Sequence, residues 1–183
     1  MDTMTPEQRH RCMAAIKAKN TKPELIVRRY LHACGFRYRL NHKRLPGRPD
    51  LVLRKYRTCV FVNGCFWHGH GTIVEGDDLI HGNVGNISCK MFRLPKTKTD
   101  FWKAKIVRNK MRDAKTQKQL ASMGWHCITV WECELKPSQR QRTLESLAFT
   151  LNSIFLKDHE VRYADILELE NTPSIAAERR DEQ

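Results

Sequence analysis

A chain of 183 residues with a formal net charge of +13 is long enough to bury a real core and short enough to form one domain. It contains no run of eighteen apolar residues, which argues against a membrane-spanning helix, and its opening MDTMTPEQRHR does not read as a secretory signal. The charge is uneven: residues 1–157 carry 30 Lys/Arg against 12 Asp/Glu, net +18, and residues 158–183 carry three against eight, net −5. Such a basic body is the footprint of a polyanionic partner, nucleic acid first, and points to a cytoplasmic, nucleoid-associated protein.

In chain order, residues 5–18 read as a basic helix. Thr21-Lys-Pro-Glu24 reads as a helix start, with Thr21 as N-cap and Glu24 at the capping-box position. Leu25, Ile26, Val27, Tyr30, Leu31 and Cys34 supply its apolar face, and Gly35 stops it. Phe36–Leu40 suggests an edge strand, Leu45-Pro-Gly-Arg-Pro-Asp50 a turn, and Leu51–Leu53 and Thr58–Val62 two strands joined by Arg54–Arg57. Residues 64–97 show no periodicity and are expected to form a long loop, which calls for a function or a staple. A helix is expected from Asp100 to Met123, a strand over Trp125–Trp131, and a last amphipathic helix over 138–157. The order α-β-β-β-α-β-α predicts a small mixed sheet flanked by helices.

Seven cysteines is an odd number, so a disulfide framework is not expected. Cys34, Cys59 and Cys127 sit in apolar stretches and are expected to be buried and inert. Cys65, His70, Cys89 and Cys133 make a Cys₃His set of the kind that holds structural zinc, although eighteen residues separate His70 from Cys89.

Asp50 follows a proline, where an acid often serves the turn alone. Here it also opens an apolar strand at a sheet rim, where one carboxylate and a phosphate oxygen suffice to hold Mg²⁺. In Asn63-Gly-Cys-Phe-Trp-His68-Gly-His70, Phe66 and Trp67 either fold onto the core or stack on bases, and His68 can take a proton near neutral pH. The helix from Asp100 carries Lys103, Lys105, Arg108, Lys110, Arg112, Lys115 and Lys118, with Asp113 its only internal acid. A solvated face is the usual reading of such a run, but seven cations against one anion favour phosphate contacts.

Together MAAIKAKNTKPE (13–24), LPGRPDLV (45–52), VFVNGCFWHGH (60–70), RLPKTKTDFWKAKIVRNKMRD (93–113) and GWHCITVWECEL (124–135) resemble the very-short-patch-repair, or Vsr-type, DNA mismatch endonucleases. The resemblance runs over residues 4–136 and implies a restriction-endonuclease-like α/β fold with a structural zinc site. It implies nicking of double-stranded DNA on the 5′ side of the thymine in a T·G mismatch, the product of 5-methylcytosine deamination. Residue by residue, it implies Asp50 as the Mg²⁺ ligand beside the Val62 backbone carbonyl, His68 as the group acting on water, and Glu24 as an acid beside the metal. The cap at Thr21 explains Glu24 equally well. Phe66, Trp67 and Trp102 match base-wedging aromatics, Met13 a residue inserted from the opposite groove, and Lys105, Arg108, Asn109 and Arg112 the DNA-contacting helix. Cys65, His70, Cys89 and Cys133 match the zinc ligands.

Residues 1–157 are thus expected to form the endonuclease domain, with 1–20 as a DNA-contacting arm and 158–183 as an acidic tail. A monomer is expected, with general mismatch-repair proteins as further partners and no membrane. Two departures stand out: Asn63 replaces a histidine of some members, and the long stretch 71–88 allows His81 to substitute for Cys89 on the zinc. A restriction or defence nuclease indifferent to mismatches, and an inactive zinc-stapled DNA-binding protein, are the competing readings.

Overall fold

The computed structural model describes residues 5–15, 19–76, 78–81 and 89–170, with the backbone alone at 6, 9, 12, 78, 81 and 161–170. The elements are α1 (Pro6–Ala14), α2 (Lys22–Ala33), β1 (Arg39–Leu40), β2 (Leu51–Leu53), β3 (Thr58–Asn63), β4 (Thr72–Glu75), β5 (Asp78–His81), α3 (Thr99–Ser122), β6 (His126–Trp131) and α4 (Pro137–Glu170). Both N-terminal helices begin with a capping box, Thr5 with Gln8 and Thr21 with Glu24, and each has a proline in its first turn. These side chains satisfy amide groups that a helix start otherwise leaves unpaired.

The main sheet has the order β1-β2-β3-β6. β1, β2 and β3 are antiparallel, and β3 pairs in parallel with β6 over six residues from Thr58↔His126 to Asn63↔Trp131. A parallel neighbour requires a crossover, and the chain between β3 and β6 provides it through α3. One sheet face packs Leu51, Leu53 and Val60 against Val27 and Leu31 of α2 and Leu144, Leu147 and Leu151 of α4. The other packs Val52 and Cys59 against Leu120 of α3, with Phe61 and Trp125 alongside. Alternation along the strands assigns successive side chains to the two layers. The result is an α/β mixed sheet flanked by helices.

Four expectations need correction. The stretch 64–97 is not all loop, because β4 and β5 form a separate antiparallel hairpin with Val74 opposite Leu79. These two side chains join Phe92, Ile106 and Val107 in a third apolar cluster. The last helix does not stop at 157 but continues to Glu170. The edge strand is two residues rather than five. Finally, Cys34 is exposed, because it is the C-cap of α2, past the turns that face the core.

Candidate active site and metal centre

A cleft of about 540 Å³ opens where the start of α2, the start of β2, the end of β3 and the middle of α3 meet; Glu24, Asp50, Val62, Trp67, His68 and Asp113 line it. Asp50 stands at the head of β2 behind the buried Pro49, and its Oδ2 accepts a hydrogen bond from the Val62 amide at 2.8 Å. Burial raises the Asp50 pKa above its ordinary value. The Val62 amide opposes this, the Glu24 carboxylate adds to it, and Arg28 and His68 oppose it. An acid that burial and a neighbouring anion both push toward its neutral form is a good place for a cation.

His68 and Asp113 meet across the cleft wall, with Nδ1 and Oδ2 2.5 Å apart. An ionised carboxylate only accepts, so the Nδ1 hydrogen lies on the imidazole and Nε2 is left free to take a proton. Arg112 reaches the other oxygen of Asp113 at 3.3 Å. The sequence reading missed Asp113, although a lone acid among cations was a visible oddity.

The segment that carries His68 is fastened to α3. Asn109 Nδ2 donates to the Trp67 carbonyl at 2.9 Å. Lys110 Nζ donates to the carbonyls of Gly69 and Thr72 at 3.1 and 2.9 Å. Burial lowers the Lys110 pKa, and its partners are backbone oxygens of the protein, which sets it apart from the exposed cations of α3 for which phosphate contacts are expected. Gly69 has φ +58°, and a Cβ there would lie 2.7 Å from Ile106 Cγ2. The turn and the close approach to α3 both require glycine.

Glu24 is buried, and its oxygens are already engaged. They accept from the amides of Asn20 and Thr21, from the Thr21 hydroxyl and, at 2.5 Å, from Arg28. The residue therefore caps α2 and anchors Arg28 while contributing negative charge near Asp50. Asn63 also borders the cleft, together with Glu132.

Cys65, His70, Cys89 and Cys133 offer four ligand atoms that all lie within 4.8 Å of one another. His70 Nδ1 is 3.6 Å from the sulfur of Cys65 and 3.3 Å from that of Cys133. A tetrahedral zinc with Zn–S bonds of about 2.3 Å needs ligand atoms roughly 3.7 Å apart, so the donor set fits. Burial raises the thiol pKa of both Cys65 and Cys133, a penalty that a bound cation reverses. His70 stacks on Trp131 with ring centroids 4.0 Å apart and planes 5° apart. Cys89 thus belongs to the cluster despite the eighteen residues between it and His70; the side chain of His81 lies outside the described residues.

Beside the cleft, Phe66, Trp67 and Trp102 form one aromatic cluster, with Trp102 5.2 Å from Phe66 and 6.0 Å from Trp67. Phe66 also contacts Phe92 of the third apolar cluster. Lys105 Nζ lies 5.2 Å from both indole rings, within the range of a cation–π contact. Arg108 and Arg112 are exposed along the same helix. Met13 is exposed on α1.

The family profile described as DNA mismatch endonuclease Vsr matches residues 1–73. Type II nicking enzyme V.NmeAIP of Neisseria meningitidis serogroup A is 45% identical over 135 residues, covering 74% of this chain and 84% of the relative. The chain belongs to the Vsr family of DNA endonucleases. Type II nicking enzyme V.XorIIP of Xanthomonas oryzae pv. oryzae is 42% identical, over 73% of this chain and 86% of its own. DNA mismatch endonuclease Vsr of Escherichia coli K12 is 34% identical, over 72% and 74%. Membership makes this chain a DNA-binding hydrolase of DNA repair, and DNA its partner. Among the described residues no helix is long and apolar enough to cross a membrane.

Proposed function

We propose that this protein is a Mg²⁺-dependent endonuclease of restriction-endonuclease-like fold that nicks duplex DNA 5′ of the thymine in a T·G mismatch, starting repair of deaminated 5-methylcytosine. The observation that carries the reading is the convergence of Asp50, His68 and Asp113 on one cleft beside the Phe66–Trp67–Trp102 cluster.

In this reading Asp50 holds the metal through the oxygen side not fully used by the Val62 amide. An extended residue projects its N–H and C=O to the same side, so the Val62 carbonyl faces the same edge and supplies a second oxygen. A Mg²⁺ held by Asp50 and the Val62 carbonyl would stabilise charge on the phosphate and ease ionisation of water. His68 accepts the water proton at Nε2 while Asp113 fixes the ring and stabilises the imidazolium. Glu24 is a positioning residue that holds α2 and Arg28 against the cleft. The ligands Cys65, His70, Cys89 and Cys133 hold a structural Zn²⁺ that ties the His68 segment to the end of β6.

Phe66, Trp67 and Trp102 wedge into the base stack, and Met13 enters from the opposite groove. Unstacking costs a few kcal/mol per step and is cheapest at a mismatch. Arg108 and Arg112 meet phosphates; Lys105 and Asn109 act through the aromatics they hold. The endonuclease unit is 1–157, with 1–20 as a DNA-contacting arm and 158–183 as an acidic extension, acting as a monomer on the nucleoid with general mismatch-repair proteins as partners.

A nicking panel tests this, using T·G, other mismatched and fully paired duplexes with and without Mg²⁺. Selective Mg²⁺-dependent nicking of the T·G duplex is expected. Equal cutting of paired DNA would replace the reading with a mismatch-indifferent nuclease, and binding without cutting would replace it with an inactive binder.

A further inference from the structure

We infer that the arginine-lined pocket behind the loop 41–48 binds a backbone phosphate of the same DNA duplex, beyond the cleft. The pocket, about 240 Å³, is lined by Arg39, His42, Arg44, Arg54 and Trp125. Residues 36–59 hold eight Lys/Arg and a single acid, Asp50, which faces the other concavity. Arg39, Arg44 and Arg54 are exposed, and none pairs with an acid among the described residues. Three guanidinium groups around one hollow repel one another unless an anion neutralises them, and their planar forks suit phosphate oxygens. His42 adds a buried Nδ1 with no hydrogen-bond partner among the described residues.

The placement suits a duplex already seated in the cleft. Asn41 borders the cleft and His42, the next residue, borders the pocket, so one loop is the wall between them. Both concavities use the α3 side of the sheet, through Phe61 in one and Val52 and Trp125 in the other. Asp50 and Arg54 flank β2, four residues apart, or about 13 Å at roughly 3.3 Å per residue. A phosphate a few nucleotides from the scissile one lies within that reach.

The inference rests on DNA occupying the cleft, and its test is independent of nicking. Binding is measured as a function of salt without Mg²⁺, for wild type and for Arg39→Ala, Arg44→Ala and Arg54→Ala combined. Each lost phosphate contact removes about 0.9 from the slope of log affinity against log salt. The combined variant should lose roughly 1–3 slope units, equally on T·G and paired duplexes, and the difference should vanish on a duplex truncated at the cleft. Lysine at the three positions should restore most of the slope, and a cooperative thermal melt with a Tm near that of the wild type shows that the alanine variant folds. Arg44→Ala alone should shift the slope in the same direction. Wild-type slopes in the alanine variants would overturn the inference, whereas absent T·G nicking by wild type would overturn only the mismatch reading.

Discussion

His68 Nδ1 lies 2.5 Å from Asp113 Oδ2, although 45 residues separate them in the chain. The contact turns one face of α3 into a support for the histidine and fixes which nitrogen is free.

Asp113→Asn removes the charge that holds this tautomer while nearly preserving shape. The variant should nick roughly 10²–10⁴ times more slowly, the range that a positioned acid–base group contributes, with KM and mismatch binding unchanged. Single-turnover rates together with binding isotherms check this. A loss confined to KM would mean that Asp113 acts on DNA binding through Arg112 instead.

Asp50→Ala should abolish nicking and leave DNA binding intact, since the wedge and phosphate contacts remain. Asp50→Asn makes a second, thermodynamic prediction. Burial raises the Asp50 pKa above 3.8, so the native state keeps the proton to higher pH than the unfolded chain does. Stability therefore falls as pH rises through that window, and the cost stays in place above it. In Mg²⁺-free buffer Asp50→Asn should match wild type at low pH and exceed it near neutrality. A gain of roughly 2–4 °C in Tm corresponds to about 1 kcal/mol in a chain of this size. Adding Mg²⁺ should raise the wild type and not the variant. A gap independent of pH between 3 and 8 would count against the carboxylate as its cause.

One zinc per chain is expected, and Cys133→Ser should weaken its retention and lower Tm, because the ion joins the His68 segment to the residues after β6. Elemental analysis and thermal melts check both. Full zinc occupancy in Cys133→Ser would remove this residue from the ligand set.

Trp67→Ala should cut nicking of the T·G duplex far more than it weakens binding to paired DNA, which phosphate contacts dominate. A lost base–aromatic contact costs roughly 1–3 kcal/mol. Equal losses on both duplexes at fixed salt would mean that the aromatic cluster serves only packing.

The legible parts of the sequence were those with local causes. The Thr21–Glu24 box announces α2, Gly124 ends α3, and the runs Leu51–Leu53 and Thr58–Val62 read directly as buried strands. The Cys₃His set was legible from residue chemistry, since its members come together in space despite uneven spacing. The hairpin was hidden because Ile73 and Ile80 face outward while Val74 and Leu79 face inward. Apolar residues on both faces erase the alternation that marks a strand. Asp113 and Lys110 were hidden for another reason: their partners lie 45, 41 and 38 residues away, so nothing nearby distinguishes them from a solvated helix face.

His70 and Cys89 converge on one four-ligand cluster, so the eighteen residues between them leave and return to the same point. Doubling the length of such a closed segment costs only about 0.6 kcal/mol, provided that Val74 and Leu79 keep their packing on Ile106 and Val107 of α3 and Thr72 its bond to Lys110. The four-ligand cluster therefore acts as a hem: sequence added outside the hairpin's contact with α3 would give the enzyme fresh surface while Asp50 and His68 stay where they are.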